Sequence, residues 1–316
     1  MALWQEGMIR LARSARVTSF AQRQPWLRGL AGQFVGGAGV DEAAQCATDL
    51  AKDGISASLF YLGEYVTDSV LIARTVAHLR EAITATAGRS LDVCVSVDPT
   101  QIGLMVDAAT CTTNARTLAD AIRTAAPQHR QGHDALMIDM EDAGVTDATL
   151  GLYRTLQADG LPVAITIQAY LHRTRVDVQG LVQTGAWVRL VKGAFAEPAS
   201  VAVRGAGDRD SRYRQSASLL LSGAARDAGV YPAFATHDHR LIEEIICQAE
   251  AHSWPRDRYE FEMLYGVRPE LQRDLARRGH RVRVYLPFGT DWFPYAIRRV
   301  GESPRNLRFV ASTLLR

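Results

Sequence analysis

The 316-residue chain has almost no net charge: 36 Lys and Arg are set against 34 Asp and Glu, for a formal +2 at neutral pH. That balance supplies no basic stripe of the kind that phosphate-backbone binding needs, so nucleic acid is not an expected partner. Cysteine is also scarce. The four present, Cys46, Cys94, Cys111 and Cys247, are scattered and form no Cys-x-x-Cys pair, which argues against a disulfide framework or a zinc ribbon and fits a reducing compartment. No apolar run approaches the ~20 residues needed to span a bilayer, and the N-terminus lacks the apolar core of a signal peptide. A soluble, cytoplasmic protein is therefore expected. With 47% hydrophobic and 22% charged residues, the composition is that of an ordered globular chain.

What is present begins with a basic, acid-poor N-terminus carrying Arg10, Arg13, Arg16, Arg23 and Arg28. It reads either as a transit peptide or as amphipathic helices that cap the bottom of a larger fold with Leu11, Val17, Phe20 and Trp26 inward. The second reading makes residues 1–50 an N-terminal helical arm. Beyond it lie eight apolar runs of strand length: Ile55–Leu62, Asp92–Val97, Ala135–Met140, Pro162–Ala169, Trp187–Ala194, Tyr231–Thr236, Glu260–Tyr265 and Val282–Pro287. Segments of helical periodicity separate them, among them Ser69–Ala87, Ala115–Ala126, Tyr213–Ala228, Leu241–Ala251 and Glu270–Arg278. Strands apolar on both faces belong to a parallel sheet covered by helices. Eight such units without a Pro/Gly/Ser-rich linker predict one α/β domain over residues 1–316, a (β/α)8 TIM-like barrel. Gly36-Gly37-Ala38-Gly39 lacks the acidic residue that a dinucleotide-binding fingerprint requires after its second strand, and is read as a turn entering a helix at Asp41.

In such barrels chemistry sits at the C-terminal ends of the strands. The polar residues there are Asp139, Gln168, the Arg189-Leu190-Val191-Lys192-Gly193-Ala194 run, Ala235-Thr236-His237-Asp238, and Tyr285. An arginine and a lysine three residues apart in a buried strand are costly unless each meets an anion. They are expected to meet a charged ligand; the alternative is a buried ion-pair network with Asp139 and Glu262. No second His or Cys accompanies His237 at metal spacing, so no metal is expected. In the last helical segment Tyr295, Arg298, Arg299 and Glu302 fall at i, i+3, i+4 and i+7, on one face. Paired guanidinium forks suit a carboxylate, with the tyrosine covering an apolar part of the same substrate; a solvated face with an Arg298–Glu302 ion pair is the alternative.

These four motifs, the strand-five run, Ala235–Asp238, Phe261-Glu262-Met263-Leu264-Tyr265-Gly266 and Tyr295-x-x-Arg298-Arg299-x-x-Glu302, resemble the proline dehydrogenase family, and the similarity runs from about Phe34 to Leu307. The resemblance implies a distorted (β/α)8 barrel, N-terminal helices, a final helix packed over the strand ends, and non-covalent FAD. It implies hydride transfer to flavin N5 from the carbon beside the substrate nitrogen, giving an imine. By position, flavin contacts fall on Gln168, Arg189, Val191, Lys192, Gly193, Thr236 and His237; substrate contacts fall on Asp139, Tyr285, Tyr295, Arg298, Arg299 and Glu302. Arg189, Asp139 and Tyr285 carry the catalytic roles. The expected partner is a small amine or imino acid. The electron acceptor, a quinone or another, stays open, as does peripheral contact with a membrane.

Two departures bear on the substrate. Ser96-Val97-Asp98-Pro99-Thr100-Gln101 stands where the family usually shows Ser-Val-Lys-Leu-Thr-Gln, which adds Asp98 to the substrate-binding residues with reversed charge. Gly193-Ala194-Phe195 replaces Gly-Ala-Tyr. Together they raise a non-proline substrate, N-substituted, hydrazine-like or cationic, as an alternative to proline. Two readings of other classes are a non-catalytic binding barrel and a Schiff-base aldolase using Lys192.

Overall fold

Strands and helices alternate along almost the whole of the described chain, which in this computed structural model covers residues 33–63, 66–126 and 132–296. In chain order the elements are α1 (Val40–Lys52), β1 (Ile55–Tyr61), α2 (Ser69–Ala87), β2 (Cys94–Val97), α3 (Ala108–Ala125), β3 (Ala135–Ile138), α4 (Thr146–Ala158) and β4 (Val163–Gln168). There follow α5 (Thr174–Gln183), β5 (Trp187–Val191), α6 (Ala206–Leu220), α7 (Gly223–Asp227), β6 (Tyr231–Ala235), α8 (His239–Ala251), β7 (Glu260–Leu264), α9 (Pro269–Arg277) and β8 (Arg281–Phe288). The eight strands pair in sequence order, all parallel, and close into a barrel. The closing seam pairs Ile55 with Val282 and continues to Tyr61 with Phe288.

Side-chain alternation divides each strand between two environments. On β8, Val282, Val284 and Leu286 join the helix-facing core. Their neighbours Arg281, Arg283 and Tyr285 make their contacts inside the barrel. A second, inner cluster combines Cys94, Ala135, Met137, Ala164, Trp187, Tyr231 and Ala233. The helices cover the outside with stripes at helical spacing, such as Cys111, Ala115, Leu118, Ala119 and Ile122 on α3. On α1 the buried positions are alanines 43, 44 and 47, which let the helix lie close to the sheet.

Several boundaries differ from those expected of the sequence. Helix α3 begins at Ala108, not Ala115, because Asp107 caps it, accepting from the Thr110 backbone N–H at 2.7 Å; the Thr-Thr-Asn run at 112–114 masks the pattern. The expected helix Tyr213–Ala228 starts earlier, at Ala206, and breaks after Leu220, where Ser222 caps a new turn by accepting from Ala225 N–H at 3.2 Å. The N-terminal arm up to residue 32 lies outside the described residues. So does the last helix beyond Ala296, with Arg298, Arg299 and Glu302; Trp292–Ala296 are helical.

Candidate active site

The strands' inward positions near their C-terminal ends build a polar layer. Arg189 on β5 is its centre, only 3% exposed. Its guanidinium forks onto Glu262 of β7, with Nε to Oε2 at 2.6 Å and Nη2 to Oε1 at 2.5 Å, while Nη1 donates to Asp139 Oδ1 at 2.6 Å. Nη2 also reaches Ser96 Oγ at 3.0 Å, and Ser96 and Ser58 share a hydrogen bond of 2.8 Å. Burial works against the charged guanidinium, but Glu262 and Asp139 outweigh it and hold Arg189 protonated far above neutral pH. The cation is therefore permanent and fixed in position, since both fork edges are occupied.

Asp139, one residue beyond β3, is the hub of the layer. It accepts from Arg189, from Thr166 Oγ1 at 2.7 Å, and from the Tyr285 hydroxyl at 3.1 Å. The Tyr285 ring lies 5.2 Å from the Arg189 guanidinium carbon and 5.2 Å from the Phe60 ring. Burial first, then the negative charges of Asp139 and Asp98, push the Tyr285 hydroxyl well above its ordinary range, so it is a donor throughout the neutral region. Asp98 follows β2 in extended backbone (φ −81, ψ 127), so the alternation that turns Cys94 and Ser96 inward carries on to it. Two carboxylates thus act on one phenol. Tyr295 is buried beside this group in a small aromatic cluster with Phe34, Phe60 and Trp292, against which Tyr285 packs.

A second set of groups lies along the adjoining ends of β4, β5 and β6. Gln168 is buried, and its side-chain amide donates to the Glu141 carbonyl at 2.7 Å. Past Val191 and Lys192, Gly193 has φ +100, and a Cβ there would lie 2.1 Å from the Tyr170 ring; only glycine fits. Thr236 is buried and accepts from Asp238 N–H at 3.2 Å. His237 Nε2 accepts from the Leu264 backbone N–H at 3.0 Å, which leaves the ring proton on Nδ1.

Arg189 and Lys192 each meet protein carboxylates, as the ion-pair alternative has it. Three residues apart on a strand, they point to opposite faces. Arg189 enters the barrel and is neutralised by protein carboxylates, the ion-pair alternative. Lys192, one of only two lysines in the sequence, sits on the rim, a third exposed, with Asp210 at 2.6 Å and Asp238 at 3.4 Å. Sequence reasoning missed Ser58, Ser96 and Thr166, inward positions whose only signal was their period-2 phase within their strands. It also missed a deeper ionic layer. There Arg283, fully buried, pairs with Glu260 at 2.9 Å and Asp92 at 3.2 Å and donates to the Gly132 carbonyl at 2.7 Å.

Comparison with known proteins gives a consistent picture. The model of the family described as Proline dehydrogenase matches residues 43–312. Proline dehydrogenase 1 of Bacillus subtilis subsp. natto is 35% identical over 306 residues, 97% of each chain. Proline dehydrogenase of Deinococcus radiodurans is 34% identical over 318 residues, 99% of this chain and 98% of that one. Among solved structures, proline utilization A from Bdellovibrio bacteriovorus, inactivated by N-propargylglycine, superposes with a TM-score of 0.74 at 25% identity over 87% of this chain. The chain spans about a third of that much longer protein, 32% of its length.

Proposed function

The chain belongs to the proline dehydrogenase family, oxidoreductases acting on CH–NH groups, and from that premise we propose that it is an FAD-dependent dehydrogenase that oxidises proline or a proline-like amine to the imine. The observation that carries the reading is the buried Arg189, clamped by Glu262 and Asp139 with the Tyr285 hydroxyl on the same carboxylate, at the mouth where barrel enzymes react.

The rim suits a flavin. Gly193 provides a stretch of backbone that no side chain could share with Tyr170. Gln168, Thr236 and His237 Nδ1–H offer polar groups on adjoining strand ends. Lys192 has three donors and two carboxylate neighbours, so one donor is available to a ligand oxygen. Together with Arg189 and Val191 these residues would hold FAD, which when bound supplies the two-electron acceptor for the hydride leaving carbon. Arg189 keeps a fixed positive charge beside the place where negative charge develops, a stabilisation that needs no reorganisation. Asp139 keeps both Arg189 and Tyr285 in place. Tyr285 and Tyr295 wall the substrate ring, and Arg298 and Arg299 grip its carboxylate, with Glu302 orienting the arginines; these last three lie outside the described residues.

Asp98 favours a second reading, in which the substrate differs from free proline. Its inward phase and its effect on Tyr285 support an extra negative charge at the pocket. Such a pocket favours a cationic or N-substituted amine over one whose recognition rests on its carboxylate. One experiment addresses both readings. Purified protein is expected to be yellow, and a panel of L-proline, N-alkylated prolines and diamino acids is added anaerobically while flavin bleaching is followed. Bleaching by L-proline at low concentration supports the first reading and removes the second. Inactivation by N-propargylglycine would support flavin-linked amine oxidation. Colourless protein that takes up no FAD would overturn both.

A further inference from the structure

We propose that a cleft on the flank of the barrel, between α5 and α6, binds a small organic anion carrying a carboxylate or phosphate group, and that occupancy is transmitted to the flavin-side strand β4. The cleft holds a cavity of about 330 Å³. That volume is at the low end for small-molecule sites, suiting a metabolite and not a dinucleotide.

Charge is the first argument. Arg175 of α5 and Arg212 of α6 both line the cavity, and no carboxylate does so among the described residues. Neighbouring arginines are already engaged: Arg173 with Asp177 and Asp147, Arg214 with Glu244, Arg209 over the Tyr170 ring. Arg175 and Arg212 make no ion pair or hydrogen bond within the described residues. Two guanidinium forks opening on one space, without a counter-charge, suit a bidentate oxyanion.

A hydroxyl on the cleft wall is the second argument. Ser216, four residues after Arg212 on the same face of α6, is 4% exposed and lines the cavity. Its hydroxyl makes no hydrogen bond within the described residues and is not sealed off from the cleft, so it is open to a ligand there. An anion held by the two arginines would accept that bond. Leu171 and Leu219 complete the wall with apolar surface for a carbon skeleton.

The link to the barrel mouth is covalently short. Thr174, the first residue of α5, lines the cavity and is buried, and its hydroxyl donates to the carbonyl of Gln168 at the end of β4. Between them lies Tyr170, the ring against which Gly193 packs. An anion bridging Arg175 and Arg212 would draw the first turn of α5 toward α6, and that displacement reaches Gln168 through the Thr174 bond.

Calorimetric titration of the purified flavoprotein with inorganic phosphate and, separately, with succinate tests the site. Saturable binding of at least one is expected, weakened about 100-fold in R175A/R212A, roughly tenfold for each arginine removed from the anion. Phosphate alone would identify a phosphate ester, succinate alone a dicarboxylate. Thr174→Val is expected to keep the binding while abolishing any effect of the anion on the KM for the amine. Absence of binding by both, or binding undiminished in R175A/R212A, overturns the site; an anion effect on KM that survives Thr174→Val overturns the coupling. Because the titration does not depend on turnover, it stands or falls separately from the redox reading.

Discussion

At Gly193 the backbone takes φ +100 with the Tyr170 ring where a side chain would be. Gly193→Ala must therefore both strain the backbone and displace a buried ring, and a loss of about 2–4 kcal/mol is expected from the two together. Thermal unfolding and flavin content measure it; an alanine variant of unchanged melting temperature that still fills with FAD would show that Tyr170 gives way freely. Tyr285 makes a different case. Its ring packs on Phe60 and Arg189, while its hydroxyl donates to Asp139 at 3.1 Å. Tyr285→Phe keeps the packing and removes the bond. The expected result is a fall of about tenfold in kcat/KM with little change in melting temperature, the size of one hydrogen bond. A large thermal loss with normal turnover would instead make Tyr285 a structural residue.

At the scale of the element, helix starts depend on single side chains. Asp68 caps α2 by accepting from the Val70 and Leu71 backbone N–H groups at 2.8 and 3.0 Å. Both capped residues are exposed, so the contribution of Asp68 is the cap itself. Asp68→Ala should cost about 1 kcal/mol and lower the melting temperature by about 1–2 °C, read by scanning calorimetry. The strands were readable for the complementary reason: runs apolar on both faces are local, and Arg189, Glu262 and Tyr285 all lie within strands that the sequence predicts. Helix α3 was read seven residues short because its start is set by Asp107 and not by apolar periodicity. That Arg189 and Lys192 take different carboxylate partners was also open to local reasoning, since residues three apart on a strand leave it on opposite faces.

For the whole molecule, the deep ionic layer ties together parts of the chain far apart in sequence. Arg283 contacts Asp92, 191 residues away, and the Gly132 carbonyl, 151 away. Burial pushes the Asp92 carboxyl upward, but His133 and Arg283 reverse this and hold it well below the usual carboxylate range. Its folded value lies below its unfolded one, so Asp92 stabilises the barrel fully above about pH 5, and the stabilisation is lost as the pH falls through 4 and below. Asp92→Asn leaves Arg283 short of a counter-charge and should cost about 3 kcal/mol at pH 7. Urea unfolding of both proteins at pH 7, 4 and 3 checks this. The gap between them is expected to change little by pH 4 and to narrow by about 1 kcal/mol at pH 3; a gap still constant at pH 3 would mean that Asp92 does not act through its charge.

The sequence by itself determined the barrel, the family and the identity of most polar groups at the strand ends, because apolar runs of strand length, helical intervals and short motifs are local properties. Only the tertiary structure decided how those charges are partnered. Arg189 meets Glu262 across 73 residues of chain and Asp139 across 50, and Lys192 is taken by Asp210 and Asp238. Such pairings follow from the closure and stagger of the eight strands, which bring distant positions to one level of the barrel, and no local pattern encodes that level.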